Sequence, residues 1–219
     1  RAAPGRRGAG EAVETAYAVP AGSLSRWEER LGAFGPVRRE SRLGQARLVT
    51  EGPDGEGVAL VEVEGDPRTP VAGAMDAGHA ILGFHSVTLL LREAGSTARL
   101  LAVMGYEEEA REGALTRMRV SGGNGADVVD LIEDPAAPPA RQGAGSVHHV
   151  AFSVPDRAAQ AEVRRAVEAA GMRATPSIDR DYFWAIYFRT PGGVLFEVAT
   201  DEPGFARDEA PDALGTALK

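Results

Sequence analysis

The sequence lacks cysteine and has a single lysine, Lys219, among its 219 residues. Without cysteine there is no disulfide, no thiolate metal ligand and no thiol nucleophile. No apolar run is long enough to span a bilayer, and the first residues hold no hydrophobic signal segment. With 32 acidic against 24 basic residues, the formal charge of −8 argues against a nucleic-acid or anionic-membrane surface. We therefore expect a cytoplasmic protein whose chemistry uses nitrogen and oxygen donors.

A weak internal repeat organises the chain, with a period of about sixty to seventy residues, too long for most solenoid repeats. Each repeat has the pattern of one strand, one helix and three strands, and the repeats occupy residues 11–64, 80–133 and 146–203. Residues 65–79 and 134–145, rich in proline, glycine and alanine, are predicted linkers. Residues 1–10 are a predicted leader loop, and residues 204–219 a tail without clear periodicity. The pattern predicts an α+β fold of βαβββ modules, with curved mixed sheets and helices on their outer faces.

The third repeat carries the clearest signals. A helix is predicted over 157–170, because Asp156 is a suitable N-cap and Gly171 can end it. Its opening strand is predicted over 147–154. Side chains in strands alternate between faces, so His149, Tyr187 and Glu197 each lie on the sparser face of their own predicted strand. We expect the bulky faces to pack beneath the helix and the sparse faces to line a site.

Four segments of this repeat resemble one protein family. They are His148-His149-Val150-Ala151-Phe152, Asp179-Arg180-Asp181-Tyr182-Phe183, Ile186-Tyr187-Phe188-Arg189 and the segment 191–201, which contains Gly193-Val194-Leu195-Phe196-Glu197. With the repeated modules, they resemble the vicinal oxygen chelate superfamily and, within it, the hydroquinone-type ring-cleaving extradiol dioxygenases. Such proteins have four modules, so the resemblance implies that the chain begins just before the second.

The resemblance implies a metal site with His149 and Glu197 as ligands. Two imidazoles and one carboxylate on one face of an ion suit Fe(II) oxygenases, because three coordination positions stay open. We expect Fe(II), with Mn(II) as the alternative, and a third ligand, a histidine, from the absent first module. Where the third repeat has His149, the second has Ser86 and the first has Thr15. A structural histidine, or a Glu197 paired with Arg180 or Arg189, is the competing interpretation.

The resemblance also implies catalytic roles for His148, Arg180 and Tyr187 around the metal. An imidazole or phenol can share the protons that a diphenol loses, and a guanidinium can bind a substrate oxygen. Strand alternation supports Tyr187 but turns His148 to the opposite face. For Arg180 the competing interpretation is a loop ion pair with a neighbouring aspartate.

Three functions remain open at this stage. The first is a dioxygenase that cleaves a hydroquinone or catechol ring with dioxygen. The second is a glyoxalase-like metal-dependent isomerase or lyase, for which Asp130 is the candidate fourth ligand. The third is a non-catalytic protein that binds small aromatic compounds. We expect the first two modules to pair, and the cavity of the third to be open on one side. A homo-oligomer, whose neighbouring subunit supplies the missing histidine, is the other possibility considered.

Overall fold

Three successive βαβββ modules make up the fold, as the repeats predict. The structure is a computed structural model and describes residues 3–70 and 75–216. The first module contains β1 (Glu11–Pro20), α1 (Leu24–Gly32), β2 (Arg38–Arg42), β3 (Gln45–Glu51) and β4 (Gly57–Val63). The second contains β5 (Gly83–Leu91), α2 (Gly95–Val103), β6 (Glu107–Glu112), β7 (Leu115–Arg119) and β8 (Val128–Glu133). The third contains β9 (Val150–Val154), α3 (Arg157–Ala169), β10 (Ile178–Asp179), β11 (Phe183–Arg189) and β12 (Leu195–Pro203).

The first two modules share one sheet. Residues Arg1–His148 form a compact unit around eight strands in the order β2-β3-β4-β1-β5-β8-β7-β6. The opening strands β1 and β5 pair antiparallel at its centre, and each runs parallel to the last strand of its own module. This confirms the predicted pairing of the first two modules.

Helix α1 covers an apolar cluster on one face of this sheet. Its buried residues Leu24 and Trp27 lie one helical turn apart, and they pack with Val19, Leu48 and Leu60 from the strands. The indole Nε1 of Trp27 donates to the backbone oxygen of His79 at 2.7 Å, so the buried ring keeps its one polar atom satisfied. Trp27 is therefore part of the core.

The third module forms the second compact unit, His149–Lys219, around a four-stranded sheet in the order β10-β11-β12-β9. Helix α3 packs on this sheet, where its buried Gln160 donates to the backbone oxygens of Trp184 (2.7 Å) and Val198 (2.9 Å). The rings of Phe152 and Phe196 contact each other with centroids 4.8 Å apart and planes inclined by 59°. The bulky faces of the strands thus form the core.

The predicted caps of α3 are both present. The Asp156 carboxylate accepts the backbone N–H of Ala159 at 2.8 Å, which satisfies one of the first unpaired N–H groups of the helix. Gly171 follows the helix with φ +88°, a left-handed conformation that costs a side-chain-bearing residue about 1–2 kcal/mol. The helix therefore begins and ends close to where the sequence predicts.

One expectation about the ends of elements needs correction. The opening strand of the third module was predicted from Val147, but β9 begins at Val150, where its ladder with β12 starts. Gln142 Nε2 donates to the carbonyl oxygens of Val147 (3.3 Å) and His148 (2.8 Å), so a side chain binds these two groups.

The leader and the tail contain short local structure. The leader forms bridges with the second linker, at Pro4 with Ala144, Arg6 with Arg141 and Ala9 with Pro139. The tail contains two 3₁₀ helices, Phe205–Arg207 and Pro211–Ala213. Part of the first linker, residues 71–74, and residues 1–2 and 217–219 lie outside the described residues. None of the described helices has the length and apolar character that crossing a bilayer requires.

Candidate metal and diphenol site

Two side chains of the third module meet at the predicted point. The Nε2 atom of His149 lies 2.7 Å from Oε2 of Glu197. The ladder explains the meeting: Glu197 pairs with Ala151 of the parallel strand β9, and His149 precedes that residue by two, on the same face. The Glu197 side chain is 5 % exposed and that of His149 is 34 % exposed. A buried carboxylate therefore faces an imidazole that solvent reaches.

Tyr187 holds the other oxygen of this carboxylate. It lies directly across the antiparallel β11–β12 ladder from Glu197, and its hydroxyl donates to Glu197 Oε1 at 2.8 Å. Its ring meets the His149 ring edge to face, with centroids 6.0 Å apart. Burial raises the pKa of Tyr187, the Glu197 carboxylate adds to the rise, and Arg180 opposes it. The phenol is thus a hydrogen-bond donor at neutral pH.

Arg180 approaches the same cluster from the turn after β10. Its guanidinium carbon lies 5.6 Å from the centroid of the Tyr187 ring, within the range of a cation–π contact. The Asp179 carboxylate accepts the backbone N–H of Asp181 at 2.8 Å. The turn therefore uses this aspartate to hold its own backbone and directs the guanidinium towards Tyr187.

Four of the predicted site residues belong to the same compact unit and meet there. His149, Glu197, Tyr187 and Arg180 form one continuous cluster in the third module. His148 is exposed and is the last residue of the first compact unit. The competing partner Arg189 donates instead to the backbone oxygen of Gly193 at 2.9 Å. Glu197 is thus paired with an imidazole and a phenol.

A third ligand is not found within the part of the chain that the structure describes. No group of three or more histidine, aspartate or glutamate side chains placed to hold a metal occurs in residues 3–70 and 75–216. The ladders show the corresponding point of the second module: Thr88 pairs with Asp130 as Ala151 pairs with Glu197, so Ser86 stands where the third module has His149. The Ser86 hydroxyl lies 3.0 Å from Nδ1 of His85.

The acid of the second module is bound by arginines. Asp130 is fully buried, and its two oxygens accept from Arg117 Nε (2.8 Å) and Nη2 (2.9 Å), with Arg42 Nη1 at 3.2 Å. Burial alone would raise the pKa of Asp130, but Arg117 and Arg42 outweigh it and hold that pKa below its usual value. The carboxylate considered as a fourth ligand for a glyoxalase-like site is therefore committed to an ion-pair network.

This network extends across the eight-stranded sheet of the first unit. Glu14 accepts from Arg47, from Arg42 at 3.1 Å and from the Thr88 hydroxyl at 3.0 Å, while Arg117 also donates to Gln45. Burial would raise the pKa of Glu14, but these partners lower it overall. The strand patterns did not predict this network. The available signal was a charged residue next to an apolar one inside a predicted strand, as at Glu14, Arg47, Arg117 and Asp130.

Comparisons with known proteins find relatives over most of the chain. A model of the glyoxalase/bleomycin resistance protein/dioxygenase superfamily matches residues 27–198. The chain is 36 % identical over 226 residues to the chlorohydroquinone/hydroquinone 1,2-dioxygenase of Sphingobium indicum, covering 98 % of this chain and 70 % of that protein. It is 39 % identical over 214 residues to MhqO of Bacillus subtilis, provisionally named a ring-cleaving dioxygenase, covering 96 % of this chain and 68 % of that protein.

Solved structures show the same fold. A crystal structure of a provisionally named dioxygenase from Bacillus subtilis matches with a TM-score of 0.91 at 39 % identity, covering 98 % of this chain and 70 % of that one. Glyoxalase I from Zea mays matches with a TM-score of 0.64 at 14 % identity, covering 92 % of this chain and 70 % of that one. At that identity, the maize enzyme supports the fold alone.

Proposed function

Because the chain belongs to the glyoxalase/bleomycin resistance protein/dioxygenase superfamily, we propose that it is a metal-dependent dioxygenase that cleaves the ring of a hydroquinone- or catechol-type diphenol. Two relatives whose names describe ring-cleaving or hydroquinone dioxygenases support this class of reaction. The observation that carries the proposal is the 2.7 Å approach of His149 Nε2 to Glu197 Oε2. An imidazole nitrogen and a buried carboxylate oxygen thus converge on one point.

The donor set fits a divalent ion. Two donors bound at right angles by bonds of about 2.1 Å lie about 3 Å apart, close to the separation of these two atoms. We propose that His149 and Glu197 hold Fe(II), with Mn(II) as the alternative, and that a third imidazole comes from another module of the protein or from a neighbouring subunit. When bound, such an ion supplies open coordination positions for two substrate oxygens and for dioxygen.

The surrounding residues have separate roles in this proposal. Tyr187 donates to Glu197 Oε1, which leaves Oε2 directed at His149. The raised pKa of Tyr187 keeps its phenol protonated at neutral pH, so it acts as a donor. Arg180 brings a permanent positive charge beside the same ring and can bind an ionised substrate oxygen. His148 accepts a proton from the diphenol as it ionises.

The test is metal binding and oxygen consumption by the purified protein. Protein loaded anaerobically with Fe(II) is mixed with hydroquinone, chlorohydroquinone or catechol, and dissolved oxygen and ring-cleaved product are measured. Glu197→Gln should remove both Fe(II) retention and oxygen consumption, because an amide is a weaker, uncharged donor. Glu162→Gln, the same change at an exposed position of α3, is the matched control and should alter neither. Unchanged metal content and turnover in Glu197→Gln would contradict the proposal.

Two other results would assign a different function. Zinc- or nickel-dependent turnover without oxygen would indicate a glyoxalase-like isomerase or lyase. Binding of diphenols without turnover by metal-loaded protein would indicate a binding protein.

A cytoplasmic location and self-association are also part of the proposal. Cell fractionation measures the location, and sedimentation measures the self-association.

A further inference from the structure

The segment Gly204–Asp208, called the strap here, folds back on the turn that carries Arg180. The backbone N–H of Gly204 donates to the Tyr182 oxygen at 2.9 Å, and Arg207 Nη1 donates to the Asp181 oxygen at 2.6 Å. The Tyr182 hydroxyl donates to Asp208 Oδ2 at 3.1 Å. These hydrogen bonds attach the strap to the two residues that follow Arg180.

An aromatic contact reinforces the attachment. The ring of Phe205 stacks on Tyr182 with centroids 5.4 Å apart and planes inclined by 24°, and it also lies 6.3 Å from the Phe183 ring. Phe205 nevertheless stays 62 % exposed. An aromatic residue with so much exposed surface contributes little to a core, so its contact with the turn is its main structural effect.

The turn itself has a demanding backbone. Asp181 has φ +65°, and the N–H of Tyr182 donates to the Arg180 oxygen at 2.7 Å, while the N–H of Arg180 donates to the Phe183 oxygen at 2.9 Å. A residue other than glycine at positive φ persists only where its surroundings hold it. The strap binds this residue and the next, and so restricts the position from which the Arg180 side chain departs.

We propose that Phe205 and Arg207 are positioning residues, which fix the Arg180 guanidinium beside Tyr187 for binding a diphenol oxygen. The inference rests on the proposed function. The guanidinium lies on a long side chain with many rotamers, so a mobile turn spreads it over several positions. A misplacement of about 1 Å can cost up to about a hundredfold in rate. The strap thus acts on substrate binding through Arg180, while His149 and Glu197 remain intact.

A double-mutant cycle on Fe(II)-loaded protein tests this. Phe205→Ala is expected to lower kcat/KM for hydroquinone about tenfold, mainly through KM, as orientation of a binding group is lost. In an Arg180→Ala background the same change should have no further effect, because the strap acts through that residue. Phe205→Tyr, which keeps the ring, should restore wild-type KM. Leu214→Ala, a loss of an exposed apolar residue elsewhere in the tail, is the matched control.

A second measurement is independent of activity. Hydrogen exchange of the peptide containing residues 179–183 should speed up in Phe205→Ala and in Arg207→Ala, with wild-type rates in Leu214→Ala and unchanged Fe(II) affinity in all three. Wild-type exchange in the two strap variants would overturn the inference, as would fully additive effects of Phe205→Ala and Arg180→Ala. If the wild-type protein is active and either of these two results is found, only the inference about the strap fails, and the proposed function still holds. Wild-type protein that neither binds nor oxidises a diphenol overturns the proposed function and the inference about substrate binding together.

Discussion

Replacing Asp130 by alanine should destabilise the first compact unit by about 3 kcal/mol. The change removes a fully buried carboxylate that accepts from Arg117 at 2.8 and 2.9 Å and from Arg42 at 3.2 Å. Breaking a buried ion pair by removing one partner costs about 3–5 kcal/mol, because the other charge stays buried without compensation. Arg42 is partly exposed and can turn to water, so the lower end of this range applies to Asp130→Ala.

The positions of the two tryptophans allow the stability of each compact unit to be measured separately. Trp27 lies in the first unit and Trp184 in the second, and the chain has no other tryptophan. In a Trp184→Phe background, fluorescence therefore follows the first unit alone, which matters because a chain with two units need not unfold in one transition. At about 2–4 °C for each kcal/mol, the Trp27 melting midpoint should fall by about 6–12 °C.

Glu108→Ala is the control for this measurement. It breaks the exposed Glu108–Arg111 pair of the same unit at 2.8 Å, and it should leave the Trp27 midpoint close to that of wild type, because exposed ion pairs contribute little to stability. If Asp130→Ala lowers the Trp27 midpoint no more than Glu108→Ala does, the arginine network does not stabilise the unit as we infer.

Three further predictions concern pH and the third module. The pKa values of Glu14 and Asp130 are lower in the folded protein than their ordinary values of 4.5 and 3.8, so the stability that these carboxylates contribute is present above those ordinary values and is lost as the pH falls. The free energy of unfolding, measured by Trp27 fluorescence, should therefore decline less steeply with acid in Asp130→Ala than in wild type. Burial lowers the pKa of His85 to about 4, so the free energy of unfolding should fall by up to about 3 kcal/mol as the pH drops from about 6.5 to 4. If the same fall persists in His85→Gln, protonation of His85 is not its cause. Asp156→Ala should cost about 1 kcal/mol by removing the cap of α3, measured by Trp184 fluorescence in a Trp27→Phe background, and no loss relative to Asp156→Asn would count against the cap.

Local signals were enough to predict the βαβββ fold and the faces of the strands in the third module. The period-2 faces of β11 and β12 placed Tyr187 and Glu197 on one side, and the ladder then brought them into hydrogen-bonding contact. Sequence patterns could not predict which partner a buried charge finds across a sheet. The bonds of Asp130 with Arg117 and Arg42 depend on the strand order of the whole unit, which brings together residues up to 88 positions apart.

The ends of elements were harder to predict for a related reason. Val147 and His148 have the alternation of a strand, but the side chain of Gln142 binds their carbonyl groups. The strap was missed because its residues lack periodicity; stacking on Tyr182 and hydrogen bonds to the turn hold them. Both features result from single polar or aromatic contacts, which leave no repeating pattern in a sequence.

In the second and third modules, the residue opposite the acid has a consequence for how a duplicated fold diversifies. Arg117 faces Asp130 and Tyr187 faces Glu197 at equivalent ladder positions. A guanidinium occupies both oxygens of its acid, whereas a phenol occupies one and leaves the second to interact with His149. The residue opposite the acid thus determines whether both carboxylate oxygens are bound within the sheet or one of them stays available to another partner.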